Sequence, residues 1–300
     1  MIFSSLLFYE TLGSIAALLS AAGWAVSSIL FRKAGDRVSP LGMNLGKCIA
    51  GSVILGIIIL ATGIKPIPAR EFVFLGLSGL LGIALGDTLF FIALMNLGPR
   101  LTLLLGALGP AFTVIMAVIF LGERPSFQAW AGIVTTIAGV NWVVWESVPH
   151  ELLSREHKLK GIRYGLLSIF CNAASIILAK VGVSSVSALD GTFIRFAWGM
   201  AGLLLFGCAT RQLKNWMRPF GDYRTLRLVS AAVLVAIFGG FWLFLVALKY
   251  IDASIATILN ETTPLFIMPL SFFILKERFS ARGITGAVVA MAGIVLIFMR

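Results

Sequence analysis

Charge is scarce in this sequence. Asp, Glu, Lys and Arg make up 12% of its 300 residues, against 59% apolar residues and a mean hydropathy of +1.00. A soluble domain needs polar cover, and this chain has too little of it, so a water-soluble fold is excluded and lipid is the solvent to consider. Cysteine is also rare. Cys48, Cys171 and Cys208 are odd in number, lie in apolar runs and lack metal-ligand spacing, so they read as small core residues. No G-x-S-x-G, Walker or CxxC sequence occurs, and "HELLS" at 150 lacks the second histidine of H-E-x-x-H. No catalytic residue, cofactor or metal is therefore expected. The N-terminus has neither a basic n-region nor a cleavage site, so the first apolar run is expected to be a retained helix.

Long apolar runs, in contrast, are abundant. A bilayer core of about 30 Å takes roughly 20 residues of helix. Charges divide the chain into ten such runs, at 11–31, 40–62, 72–96, 101–121, 126–146, 161–180, 188–209, 226–249, 254–275 and 281–299. They lack the alternating pattern of barrel strands. The expectation is an all-α integral membrane protein with ten transmembrane helices. The net charge of +11 lies in short loops, where it would meet anionic headgroups, so the expected partner is the lipid bilayer and not nucleic acid.

The chain also repeats itself. "FLGERPSFQAWAGIVTTIAGV" (120–140) matches "ILKERFSARGITGAVVAMAGI" (274–294) at an offset of 154, which holds back to Gly86 and Gly240 and pairs Pro110 with Pro264. "LLSAAGWAVSSIL" (18–30) matches "LLSIFCNAASIIL" (166–178) at an offset of 148, which pairs Lys47 with Arg195. The reading is two five-helix units, 1–146 and 161–300, joined by a linker at 147–160. Because five is odd, the second unit enters from the opposite face, giving an inverted repeat of the kind found in secondary transporters.

These residues resemble the drug/metabolite transporter superfamily, in its EamA-like ten-helix branch. The likeness covers essentially the whole chain. It is carried most specifically by "LGPRLTLLLGALGPAFTVIMAVIFLGERPSFQAWAGIVTTIAGV" and its recurrence from Ile251, with a mid-helix proline, an E-R-x-S turn and an A-G ending. Two features depart from the family pattern: "AAGWAVSS" in the first helix, and Lys47 where arginine is common. The resemblance implies an exporter or exchanger of small organic solutes such as amino acids, other metabolites or drugs. Such a protein would sit in the plasma or inner membrane and work as a monomer or weak dimer. A motif-less intramembrane enzyme or a lipid scramblase is the alternative.

Glu261 carries the sharpest functional expectation. It stands in "ATILNETTPLFIMPL", apolar on both sides, where an ionised carboxylate costs about 2.5–3.5 kcal/mol by insertion scales. Pro264, three positions on, removes a backbone hydrogen bond and crowds the carbonyl of Asn260. Pro110 is its counterpart, but there Gly106 and Ala107 replace Asn260 and Glu261. The prolines are the expected hinges, and Glu261 with Asn260 is the expected solute or proton site. A structural ion pair of Glu261 with Lys47 or Arg195 is the competing reading. Lys47 and Arg195 either snorkel to a headgroup or line a cavity and attract an anionic group. Asp87, after the small-residue face Gly76, Gly79, Gly82 and Gly86, is a cavity residue or the partner of a buried cation. Trp24, Asn44, Asn172, Trp198 and Trp242 are further cavity candidates. Glu123–Arg124 and Glu277–Arg278 read as structural turn residues at span ends.

Orientation stays open at this level. Lys65, Arg70, Arg124, Lys180, Lys249 and Arg300 share the face of both termini. Sixteen other basic residues lie on the opposite face, which the positive-inside rule places in the cytoplasm. The family resemblance implies cytoplasmic termini instead. A C-terminal reporter active only in the cytoplasm decides between the two.

Overall fold

The structure is a computed structural model that describes residues 2–35, 37–63, 65–90, 92–93, 96, 105–106, 108–146, 155–263, 265–266 and 281–298. All regular structure among them is helical. The helices that build the bundle are α1 (Ile2–Gly35), α2 (Pro40–Thr62), α3 (Ala69–Phe90), α4 (Gly109–Leu121), α5 (Phe127–Glu146), α6 (Arg155–Gly182), α7 (Ala188–Ala209), α8 (Tyr223–Tyr250), α9 (Ala253–Asn260) and α10 (Ala281–Phe298), and a short helix at Leu213–Met217 with a 3-10 turn at Arg218–Gly221 lies between α7 and α8. Five spans among the described residues are long and apolar enough to cross a membrane: α2, α3, Leu159–Gly182 of α6, α7 and α8. Two shorter apolar helices accompany them.

Local chemistry sets the ends. Ser39 and Ser187 accept the N–H of Gly42 and of Asp190 with their side chains, and Pro40 fills the first turn of α2. Asp222 caps α8 by accepting the Thr225 hydroxyl at 2.7 Å and the Thr225 N–H at 3.0 Å. Those bonds, with Arg37 nearby, hold its carboxyl below the ordinary aspartate value.

The two sequence units interleave. α1 packs on α8 and α9, and α6 packs on α3 and α4, the equivalent pairs by offset. α2 lies against α7, α4 against α9 and α5 against α10. The α5–α10 crossing is built from glycine. A Cβ on Gly139 would overlap the Ala290 backbone, and one on Gly293 would overlap the Thr136 backbone, two contacts related by the same offset of 154. In lipid, small residues allow this backbone approach, and dispersion then holds the helices together. Phe127, Trp130, Val134, Ile284, Val288 and Met291 face outward from these helices. Cys208 differs from the sequence expectation. Cys48 and Cys171 are buried, but Cys208 faces outward near the end of α7.

Two helices widen at related places. Gly79–Gly86 in α3 and Val235–Trp242 in α8 are π-helical. A π-turn shifts backbone hydrogen bonding by one residue and exposes carbonyls to side-chain donors. Gly79, Gly82, Ile83 and Gly86 are buried in the first, and Ala236, Ile237, Gly240 and Phe241 in the second.

Candidate functional site

The π-turns organise a polar centre. In α3, Gly82 and Gly86 let α6 approach, since a Cβ would meet Ser175 at the first and Asn172 at the second. Ser168 then donates to the Gly86 carbonyl at 2.8 Å, and the Asn172 amide donates to Ser168 at 3.3 Å. Ser78 and Ser175 each donate to the other's carbonyl, at 2.7 and 2.8 Å. The related seam runs between α1 and α8. There Ser20 donates to the Gly240 carbonyl at 2.9 Å, and Trp24 packs on Gly240. Ser20 is the counterpart of Ser168, Gly240 of Gly86 and Trp24 of Asn172. Ser20 also lies 2.8 Å from the Asn260 amide oxygen, which ties this seam to α9.

Asp87 and Phe241 follow Gly86 and Gly240, and both meet Lys47. The Lys47 ammonium lies 2.9 Å from the Asp87 carboxylate and 4.9 Å from the Phe241 ring centroid. Asn44, one turn earlier on α2, donates to the Ile83 carbonyl in the π-turn at 2.9 Å. α2 thus fastens to α3 by one ion pair and one amide. Trp24 and Phe196 both meet the Phe241 ring edge-on.

Lys47 and Arg195 are each only 6% exposed, so neither side chain snorkels out of the bundle. The ion-pair alternative is corrected on one point. Lys47 pairs with Asp87 and not with Glu261, because the π-turn of α3 brings Asp87 against α2. No ion pair between Glu261 and Arg195 occurs among the described residues. Among the described residues Arg195 has one weak bond, Nη2 to the Ser175 hydroxyl at 3.4 Å, and its Nε has no partner. Asp87 makes no ion pair or hydrogen bond with Arg195 among the described residues.

Glu261 stands at a helix break. α9 ends at Asn260, and residues 261 and 262 form a turn before helical residues resume at 263. Thr262 and Thr263 donate their hydroxyls to the Leu259 and Asn260 carbonyls, at 2.6 and 2.8 Å. The two threonines of "NETTP" thus add hydroxyl donors to carbonyls at the break, where the Leu259 carbonyl also accepts the Thr262 N–H at 3.3 Å. A related break precedes α4, where Leu108 turns back on the Leu105 carbonyl and Pro110 enters the first turn of the helix. Thr262 is the counterpart of Leu108. Pro264 lies outside the described residues. Among those residues, the Glu261 side chain has no ion pair or hydrogen-bond partner.

The tryptophans are half-buried and pack on aromatic or glycine neighbours: Trp198 on Phe72 and Gly76, Trp242 on Phe238. Trp24 meets Phe241, which covers Lys47; Asn44 lies one turn before Lys47; and Asn172 lies against Gly86, next to Asp87. Sequence reasoning missed Ser20, Ser168, Ser175 and Phe241. The three serines carried a readable signal, because Ser20/Ser168 and Ser27/Ser175 are identical pairs at offset 148.

Glu123 has a larger role than that of a turn residue. Gly122 adopts a left-handed conformation (φ 68°) that turns the chain out of α4 and aims Glu123 at the start of α9. The carboxylate there accepts the Ala253 N–H at 2.6 Å, the Ser254 N–H at 3.1 Å and the Ser254 hydroxyl at 2.5 Å. A side chain of the first unit thus caps a helix of the second. Beside it, Lys180 donates to the Ile251 carbonyl at 2.5 Å and Lys249 to the Val186 carbonyl at 2.9 Å.

Apolar spans around an interleaved polar centre define a multi-pass helical membrane protein. The model of the EamA-like transporter family matches residues 11–145 and again 159–299, and the chain belongs to that family. An uncharacterized transporter of Archaeoglobus fulgidus is 22% identical over 94% of this chain and 96% of its own length. The inner membrane transporter YhbE of Escherichia coli is 28% identical over 46% of this chain and 42% of its own. A probable terminal-alkyne amino-acid exporter of Streptantibioticus cattleyicolor is 28% identical over 41% and 42%. A solved crystal structure superposes with a TM-score of 0.76 at 16% identity, covering 97% of each chain, which shows the same fold. The family implies a small-molecule solute and a membrane setting.

Proposed function

We propose that this protein is a secondary transporter that exports or exchanges small organic solutes, amino acids among them, by alternating access. Its working parts are two inverted five-helix repeats, 1–146 and 161–300, joined at 147–160 and crossing the membrane ten times. The carrying observation is a centre that is symmetric in backbone and asymmetric in charge. Equivalent serines meet equivalent glycines, but Asp87 of one unit is answered by Phe241 of the other. Repeated backbone supplies two interchangeable conformations. Unrepeated charge supplies one site for an asymmetric solute.

Glu261 is the proposed site for a cationic group or a coupling proton. It stands at the C-terminal end of a half-helix, where the carbonyl dipoles add negative potential to its own carboxylate. Asn260, Trp24, Asn44 and Asn172 adjoin the same polar centre, and Trp198 and Trp242 are the further proposed cavity residues. Pro110 and Pro264 flank the two helix breaks and are the proposed hinges. Glu123, which joins the units at one face, is the proposed latch. The amino-acid class draws on the Streptantibioticus relative, named as an exporter of such a solute. The protein acts as a monomer or weak dimer, without catalysis, cofactor or nucleic acid, in the cell membrane.

A metabolite-toxicity screen of expressing cells, followed by flux of the hit into proteoliposomes, tests this reading. A transporter moves the solute unchanged. Chemical conversion of the solute would point to an enzyme, and lipid flip without solute flux to a scramblase.

A further inference from the structure

We infer that Arg195 is the anchor for a carboxylate of the transported solute, an assignment that rests on the transport reading above. A guanidinium has five N–H donors and cannot shed its charge inside a protein. This one is 6% exposed, yet among the described residues its edge is almost unused: Nε has no partner, and Nη2 reaches only the Ser175 hydroxyl at 3.4 Å. Nε and Nη2 form the side of the guanidinium that grips a carboxylate with two parallel bonds.

The counterpart in the other unit explains the unused edge. Lys47 is neutralised by Asp87 at 2.9 Å and covered by Phe241. In the second unit the position of Asp87 is taken by Phe241, so Arg195 lacks the acid that its counterpart has. Glu261 makes no ion pair with Arg195 either, and four other acids among the described residues are engaged elsewhere. Glu71 accepts from Ser185, Glu123 caps α9, Asp190 accepts from Ser187 and Asp222 pairs with Arg37. Lys47, Asp87 and Arg195 therefore carry one net positive charge. That balance fits a monoanion, since a phosphate dianion would call on a second free cation. The position is also rigid, as Gly79 lets α3 press directly on the Arg195 backbone.

The test is thermal unfolding of the detergent-purified protein, a binding readout independent of flux. The probes are acetate, butyrate, phenylacetate and the twenty amino acids, each against its neutral amide and against sodium chloride. At least one carboxylate should raise the parent's midpoint by at least ~3 °C near saturation, and its amide and chloride should not. Arg195→Gln should unfold no earlier than the parent without probe, because it removes a buried unpaired charge, and should lose the carboxylate shift. Arg195→Lys keeps the charge without the fork, and its apparent affinity should fall ~10-fold or more. The assignment is overturned if no carboxylate shifts the parent, if amides or chloride shift it equally, or if Arg195→Gln keeps the shift. If Arg195→Gln does not accumulate, an undiminished affinity in Arg195→Lys overturns it. Absence of flux for every solute would instead strike the transport reading.

Discussion

Glu123→Ala should release one face of the protein. Glu123 accepts two backbone N–H groups and one hydroxyl from the first turn of α9, across the join between the units. Hydrogen bonds to a charged group contribute about 1.5–3 kcal/mol each when counted singly, and a helix cap about 1 kcal/mol. The three bonds share one carboxylate at a half-buried helix end, where water can replace part of what is lost. A net loss of about 2 kcal/mol follows, which shifts a closed-to-open equilibrium roughly 30-fold. Glu123→Gln keeps one accepting oxygen and turns the other into a donor facing donors, so roughly half of that energy should be lost. The assay is alkylation of Thr257→Cys, placed one turn into α9 at a site only 3% exposed, in a Cys208→Ala background. With the protein in nanodiscs, both faces are open to an impermeant maleimide. The labelling rate should rise about 30-fold in Glu123→Ala and about 5-fold in Glu123→Gln. A rate unchanged from the parent, in a variant with the parent's unfolding midpoint, would mean that the cap holds only its own helix and latches nothing.

Two further perturbations follow from the same geometry. Lys47→Met leaves Asp87 beside an apolar neighbour and should destabilise the protein by about 2–4 kcal/mol, less than a fully buried pair would lose, because the Asp87 side chain is 26% exposed. Adding Asp87→Asn should recover most of that loss, and a chemical-denaturation double-mutant cycle measures the coupling. Gly139→Val puts side-chain atoms where the Ala290 backbone lies and should cost about 1–3 kcal/mol or prevent accumulation, whereas Gly221→Ala, with open space around it and no positive φ, should change stability by less than about 1 kcal/mol. Unfolding midpoints of the two variants check that order.

Much of the helical layout was legible because lipid imposes it. Runs between charges placed α2 and α7 at the residue, since Ser39, Ser187 and the flanking loops leave little choice of end. The two broken helices were legible only in part. Proline marked 110 and 264, but the turns centre near Leu108 and at Glu261–Thr262, where threonine hydroxyls donate to carbonyls at the break. Partners of the buried charges were harder to read. Spacing alone leaves Asp87 between cavity lining and pairing a cation, and its meeting with Lys47 depends on a π-turn that no residue pattern announces. Glu123 was readable as a turn residue, because "GER" has that form. Its cap on α9 spans 130 positions and arises only when the two units interleave. Serine pairs repeated at offset 148 were visible but lay among many small residues. Their weight came from the carbonyls they meet.

The central claim is that Glu261 takes part in moving the solute, and pH-dependent flux tests it most directly. Parent and Glu261→Gln, reconstituted at equal density, are compared for uptake of the solute found by the toxicity screen, from pH 5.5 to 8.5. The substitution keeps shape and hydrogen bonding while removing the titrating group. The account predicts a folded Glu261→Gln protein whose flux is abolished or no longer changes with pH. The parent's rate and pH profile in Glu261→Gln would contradict it and leave Glu261 a structural residue at a helix break.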